Sequence, residues 1–106
     1  MSTPKLTAAE FEAALGSDLP LLVDFYADWC GPCKMMSPVI EQISIETSGR
    51  LQVRSLDVDA EPAIAQRYMV MSLPSLLLFK QGKLADKLVG YPGPGGVRTW
   101  LDKQLT

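Results

Sequence analysis

The sequence predicts an α/β domain in which a mixed β-sheet carries helices on both faces, and two features of the chain lead to this prediction. Two apolar runs suited to strands, residues 19–27 and 51–59, are separated by a helical pattern, which indicates a parallel crossover. Two further β-runs within residues 74–90 meet at Gln81-Gly82, a hairpin signal that adds antiparallel strands. A chain of 106 residues can bury its own core, so we expect one domain over residues 1–106.

Residues 7–27 predict the first helix and the first strand. Thr7 and Glu10 have the spacing of a capping box, and apolar residues recur at helical intervals until Gly16. The run "LPLLVDFYA" is almost continuously apolar, as in a strand covered on both faces. One charge, Asp24, stands in its middle. A buried charge without a partner is costly, which suggests that this carboxyl group has a function.

Three more helices are expected in the rest of the chain. A helical pattern runs from Pro32 to about Ser48, with Pro38 inside it. A short helix is expected over residues 59–70. Residues 93–105 should begin as a glycine- and proline-rich loop and close as an amphipathic helix.

Composition and charge exclude several classes of protein. The net charge is −2 and no basic run is present, so we expect neither nucleic acid nor a membrane surface as a partner. The N-terminus lacks a basic flank followed by an apolar stretch. We expect a cytoplasmic protein, although a processed secreted form would look the same. We also expect a monomer, because no apolar helix face is left unexplained.

The reactive chemistry is concentrated in Cys30 and Cys33, the only two cysteines, which enclose Gly31 and Pro32. Cys30 precedes a helix whose free amides favour a thiolate, the attacking species in disulfide exchange. Cys33 follows on the first helical turn, where it can attack a mixed disulfide and release the product. Gly31 permits close backbone approach, and Pro32 has a φ suited to the first turn of a helix.

Two other interpretations of the cysteine pair are weaker. A structural zinc site uses about four ligands, whereas this chain has two cysteines and no histidine. A disulfide ring this small constrains the unfolded chain little, so a structural staple is a poor explanation. We therefore expect a redox-active disulfide between Cys30 and Cys33, with no metal and no cofactor.

The stretches "VDFYADWCGPCK", "LDVD", "LPSLLLFKQGK" and "LVGY", together with Pro38, resemble the thioredoxin family over the whole chain. The resemblance implies a thioredoxin fold with a central mixed sheet of about five strands and about four helices. It implies a protein-disulfide reductase and dithiol electron carrier in which Cys30 attacks and Cys33 resolves. Its partners would be disulfide-containing substrate proteins and a thioredoxin reductase.

The resemblance also assigns roles outside the cysteine pair. Asp24 matches a buried carboxylate that moves protons to or from Cys33, and burial should raise its pKa; the alternative is a carboxylate merely hydrogen-bonded in the interior. Pro74 matches a cis-proline beside the disulfide, where the Leu73 backbone would bind an extended peptide. The implied docking surface consists of Trp29, Val58, Ser72, Leu73, Val89, Gly90 and Tyr91. For all of these except Trp29, ordinary packing is a comparable explanation.

The chain departs from the family pattern at three places. Ser55 stands where a lysine is frequent, and strand alternation should turn Arg54 to the other face, so ionising Asp24 should be harder here. The segment 69–71 carries two methionines, which either adapt to varied partners or fill gaps in the core. Tyr91 occupies a position where a small residue is common.

Two other functions stay open at this point. An oxidant or isomerase of the cell envelope shares the fold, but Gly31 and Pro32 argue against it by resemblance. A non-catalytic binding module would use the fold alone, with incidental thiols. The variant Cys33→Ser would separate this module from the catalysts.

Overall fold

The computed structural model describes residues 3–105. Four helices and four strands lie within these residues. In chain order they are α1 (Ala8–Leu15), β1 (Leu21–Tyr26), α2 (Gly31–Glu46), β2 (Gln52–Asp57), α3 (Pro62–Arg67), β3 (Ser75–Lys80), β4 (Lys83–Val89) and α4 (Gly93–Leu105). None of these helices has the length and apolar character needed to cross a membrane.

The sheet is mixed, with strand order β2-β1-β3-β4. β1 pairs with β2 in parallel, while β3 is antiparallel to both β1 and β4. The mixed α/β architecture is thus confirmed. The expected count of about five strands is too high for residues 3–105, because the N-terminal segment adds only an isolated parallel bridge between Lys5 and Ser55. Pro4 lacks an N–H and Thr7 already caps α1, so the pairing cannot lengthen in either direction.

Strand alternation divides the core between the two faces of the sheet. On β1, Leu21, Val23 and Phe25 face α1 and α3, whereas Leu22 faces α2 and α4. Both clusters contain fully buried side chains from β1 and β3. The predicted helices on both faces are confirmed, and Asp24 lies on the same face as Leu22 and therefore toward α2.

Local capping explains where α1 begins, and the bounds of α3 and α4 differ from expectation. The capping box of Thr7 and Glu10 is present at α1. The third helix is shorter than residues 59–70 at both ends: it begins at Pro62 and ends at Arg67, two residues before Met69 takes a positive φ of 56°. The expected loop at residues 93–96 is instead the first turn of α4. A first turn tolerates Pro94 because the first amides of a helix have no intrahelical acceptor.

Candidate active site

The cysteine pair lies where β1 passes into α2. Cys30 is the N-cap of α2 and Cys33 sits in its first turn. The two form a disulfide with their Cα atoms 5.3 Å apart. The backbone N–H of Cys33 also donates to Cys30 Sγ at 3.2 Å, so the helix terminus already places a donor on this sulfur. Gly31 and Pro32 are exposed, while both cysteines are buried.

Asp24 is a buried carboxyl group on the α2 side of the sheet. Its side chain is only 4% exposed. Its Oδ1 atom has no hydrogen-bond partner within the described residues. Burial raises the pKa of Asp24 from 3.8 to about 7, because desolvation disfavours the charged form. A carboxyl group that titrates near neutral pH can take up or release a proton under physiological conditions.

The neighbouring strand supplies no charge to Asp24. Ser55 pairs directly with Asp24, and its buried hydroxyl donates to the Pro4 carbonyl at 3.3 Å. Arg54 pairs with Val23, whose side chain packs in the α1 and α3 core, so the arginine belongs to the opposite face, as alternation predicted. Burial is thus the dominant influence on the pKa of Asp24.

A cavity of about 290 Å³ connects Asp24 with Cys33. The remaining lining residues are Tyr26, Ala27, Asp28, Lys34 and Ser37. A cavity of this size has room for several water molecules, and the polar residues among those that line it offer partners to water. Water in this cavity would connect the Asp24 carboxyl group with Cys33.

The predicted docking residues are only partly gathered around the cysteines. Val58 and Leu73 pack against the cluster formed by Tyr26, Ala27 and the two cysteines. Trp29 is 72% exposed, and its indole N–H donates to Asp59 Oδ2 at 2.9 Å. This hydrogen bond fixes the orientation of a large apolar side chain next to Cys30.

The other docking residues lie along the loop before β3 and the end of β4. The Leu73–Pro74 peptide bond is cis. The Gly90 N–H donates to the Pro74 carbonyl at 2.8 Å, which holds these two segments together. Ser72 and Val89 are exposed. Tyr91 is half-buried and packs instead on the core between the sheet and α2 and α4, apart from the cysteine cluster.

Two residues of the site were not singled out from the sequence. Tyr26 packs against the cysteines, and its position two residues after Asp24 in a strand already indicates the same face. Asp59 holds Trp29 through a contact between residues 30 positions apart, and no local pattern reveals such a contact.

Comparison with known proteins agrees with this geometry. A family model described as Thioredoxin matches residues 2–103. The chain belongs to the thioredoxin family. Thioredoxins from Staphylococcus aureus strains Mu50, MW2 and COL are each 43% identical over 105 residues, covering 99% of this chain and 100% of theirs.

A solved structure shows the same fold. It comes from work on the thiol resolving mechanism in yeast mitochondrial 1-Cys peroxiredoxin via glutathione/thioredoxin systems. The matched chain is 32% identical, with a TM-score of 0.85, and the match covers 96% of this chain and 95% of that one. The thioredoxin fold is thus confirmed independently of the sequence motif.

Family and geometry together define the chemistry. Thioredoxin homologues are protein-disulfide oxidoreductases, and this chain carries the corresponding Cys30–Cys33 pair in a thiol-disulfide oxidoreductase. The redox group is part of the protein itself, so thioredoxins need no cofactor. Within residues 3–105, no cluster of three or more histidine, cysteine or acidic side chains is placed to hold a metal ion.

Proposed function

We propose that this thioredoxin-family chain, acting as one domain, reduces disulfides in other proteins with Cys30 as the attacking thiol. The observation that carries this assignment is the Cys33 amide on Cys30 Sγ at the start of α2. A hydrogen bond from the helix terminus stabilises a thiolate in the dithiol form and lowers the barrier to its attack. Cys33, within the first turn, is placed to act second.

The exchange proceeds in two displacements. The Cys30 thiolate attacks one substrate sulfur, forms a mixed disulfide and releases the first substrate thiolate. The Cys33 thiolate then attacks Cys30 Sγ and releases the second. The substrate gains two electrons and takes up two protons, and the Cys30–Cys33 disulfide forms. Asp24 accepts the Cys33 proton through the shared cavity before the second displacement.

Substrates dock, in this proposal, on the surface between Trp29 and the Leu73–Pro74 loop. Trp29 supplies exposed apolar area that Asp59 holds in place. Leu73 packs beside the cysteines, so a peptide lying along its backbone brings a disulfide close to Cys30. The edge of this docking surface is formed by Val58, Ser72, Val89 and Gly90. Tyr91 bounds it on the α4 side.

The wider setting is also part of the proposal. A thioredoxin reductase restores the dithiol, and the protein works as a monomer in the cytoplasm. The family membership supports disulfide-containing substrates and a reductase in general. Neither nucleic acid nor a membrane takes part.

Trapping with paired cysteine variants tests the assigned roles. We expect Cys33→Ser to accumulate a mixed disulfide with a disulfide-containing protein substrate such as insulin, while turnover stops. Cys30→Ser, the matched control, should form no such adduct at low substrate concentration. Mass spectrometry under non-reducing conditions identifies the linked sulfur. An adduct through Cys33 in the Cys30→Ser variant at an equal rate would reverse the assignment.

The reduction potential distinguishes a reductant from an oxidant of the same fold. Equilibration with glutathione or dithiothreitol buffers, followed by Trp29 fluorescence, gives the potential of the Cys30–Cys33 pair. We expect a value more negative than about −240 mV, so that electrons flow to substrate disulfides. A value above the glutathione couple would identify an oxidant and would remove both the reductase partner and the cytoplasmic assignment.

A further inference from the structure

Lys5, Ser55 and Asp24 occupy one row across the sheet. Ser55 pairs with Asp24 on one side and with Lys5 on the other. Paired residues of neighbouring strands direct their side chains to the same face. The middle of this row is a small, uncharged side chain whose hydroxyl bonds to the Pro4 carbonyl. The row therefore has an anion-forming group at Asp24 and a cation at Lys5, separated by the uncharged side chain of Ser55.

Tyr26 lies near both ends of this row: it lines a cavity with Asp24, and its ring lies beside Lys5. It is the next residue after Asp24 on the same face of β1, and its side chain is only 9% exposed. The Lys5 Nζ atom lies 5.8 Å from the centre of the Tyr26 ring. The interaction with the Tyr26 hydroxyl is the main influence that raises the pKa of Lys5. Lys5 and Tyr26 are therefore coupled, although their contact falls short of hydrogen-bond geometry.

Asp24 and Tyr26 share an unusual property. Asp24 Oδ1 and Tyr26 Oη are both buried side-chain oxygens without a hydrogen-bond partner in the described part of the chain. Both side chains line the same cavity of about 290 Å³. Buried polar atoms are normally satisfied by protein or by ordered water, and this cavity is large enough for water to join them.

We propose that Tyr26 is a positioning residue for Asp24: its hydroxyl, polarised by the Lys5 ammonium, donates through a cavity water to the Asp24 carboxylate and stabilises the ionised form. Lys5 acts on Asp24 through Tyr26 and not directly. The inference deepens the proposed function, because it rests on Asp24 as the proton acceptor of Cys33. In this chain the cation that assists Asp24 comes from the N-terminal segment and not from β2.

Other charged groups lie near Lys5 and Asp24, and they determine the conditions of the measurement. Asp28 and Asp57 lie near Lys5 and also raise its pKa. Lys34 lines the cavity from α2, and Cys33 faces Asp24 across it. The titration is therefore measured in the disulfide form, where the cysteines do not ionise and cannot couple to Asp24.

The test is a double-mutant cycle in which the pKa of Asp24 is measured by NMR from the pH dependence of its carboxyl carbon resonance. Tyr26→Phe removes only the hydroxyl and should raise the pKa of Asp24 by about 0.7 unit, a roughly fivefold change in the ionisation constant and the effect of one ordinary hydrogen bond. Lys5→Gln should raise it by less. In the Tyr26→Phe background, Lys5→Gln should add nothing. Lys83→Gln, which removes an exposed lysine from β4, is the control for net charge and should leave the titration unchanged.

Each alternative outcome overturns the proposal. An unchanged or lower pKa in Tyr26→Phe shows that the hydroxyl does not stabilise the carboxylate. If Lys5→Gln shifts the pKa of Asp24 equally in the wild-type and Tyr26→Phe backgrounds, Lys5 acts on Asp24 directly through its charge and not through Tyr26. If Tyr26→Phe were poorly folded, Lys5→Gln still tests the polarisation step, since Lys5 is exposed and the absence of an upward shift in the pKa of Asp24 refutes that step. Trapping in Cys33→Ser does not depend on Asp24, so the proposed function fails or stands separately.

Discussion

Asp24 should destabilise the native fold at neutral and alkaline pH, and Asp24→Asn measures this effect. Burial raises the pKa of Asp24 from 3.8 to about 7 in the native state. An unfolded chain ionises this carboxyl near pH 4, whereas the native chain keeps its proton until about pH 7. The stability that this group contributes is therefore complete below pH 4 and is lost as the pH rises to 7.

The size of the effect follows from the shift. A difference of about three pH units corresponds to about 4 kcal/mol, lost at roughly 1.4 kcal/mol per pH unit between pH 4 and pH 7. Asp24→Asn removes the titration and keeps the shape of the side chain. We expect the free energy of unfolding of the variant, relative to that of the wild type, to rise by up to about 4 kcal/mol between pH 4 and pH 8.

Urea unfolding of the disulfide form at a series of pH values from 4 to 9 provides the measurement. The relevant quantity is the difference in unfolding free energy between wild type and variant, since the pH dependence of all other groups cancels in it. Asp18→Asn removes a carboxylate from an exposed turn and serves as the control, for which no such rise is expected. A difference for Asp24→Asn that stays flat across this range would refute the argument that Asp24 is desolvated.

Two further predictions concern the helix termini. In α4, a Cβ on Gly96 would lie 2.7 Å from Cβ and Cγ of Pro92, so Gly96→Ala should lower the free energy of unfolding by about 1–3 kcal/mol in urea titrations. Its neighbour Gly95 has no atom within 4 Å of such a Cβ, so Gly95→Ala should raise it by about 0.5–1 kcal/mol, and equal effects at both sites would contradict the steric explanation. At α1, Thr7→Ala removes the oxygen that accepts from the Glu10 amide at 3.2 Å and should cost about 0.5–2 kcal/mol in the same assay. Retention of full stability would show that this cap is dispensable.

The sequence predicted those parts of the fold that depend on neighbouring residues. Hydrophobic alternation and helical periodicity are local, so β1, α2 and the hairpin of β3 and β4 could be predicted. The start of α4 could not, because Val97 and Leu101 are fully buried in the core and this tertiary packing outweighs the low helix propensity of the glycines before them. The end of α3 at Arg67 was equally hidden, since the left-handed residue that follows it is Met69 and methionine does not usually signal such a backbone.

The candidate site was predictable to the extent that its chemistry is carried by unusual residues. Two cysteines in one turn and one charge in an apolar strand stand out in any reading of the chain. Tyr26 and Asp59 do not, because an aromatic residue at the end of one strand and an acidic residue after another have many ordinary explanations. Their roles depend on which distant residues the fold brings to them, namely the cysteine cluster and Trp29.

The proposed role of Asp24 links stability and chemistry in opposite directions. In the proposed mechanism Asp24 takes up a proton from Cys33 only in its ionised form, so the second displacement should accelerate as the pH rises through about 7. Over the same range the ionised carboxylate weakens the fold. Asp24→Asn should therefore be more stable than the wild type but slower in resolving the mixed disulfide. The pH profile of this step should have no inflection near pH 7. A variant that gained stability but kept that inflection would show that the proton leaves Cys33 by another route.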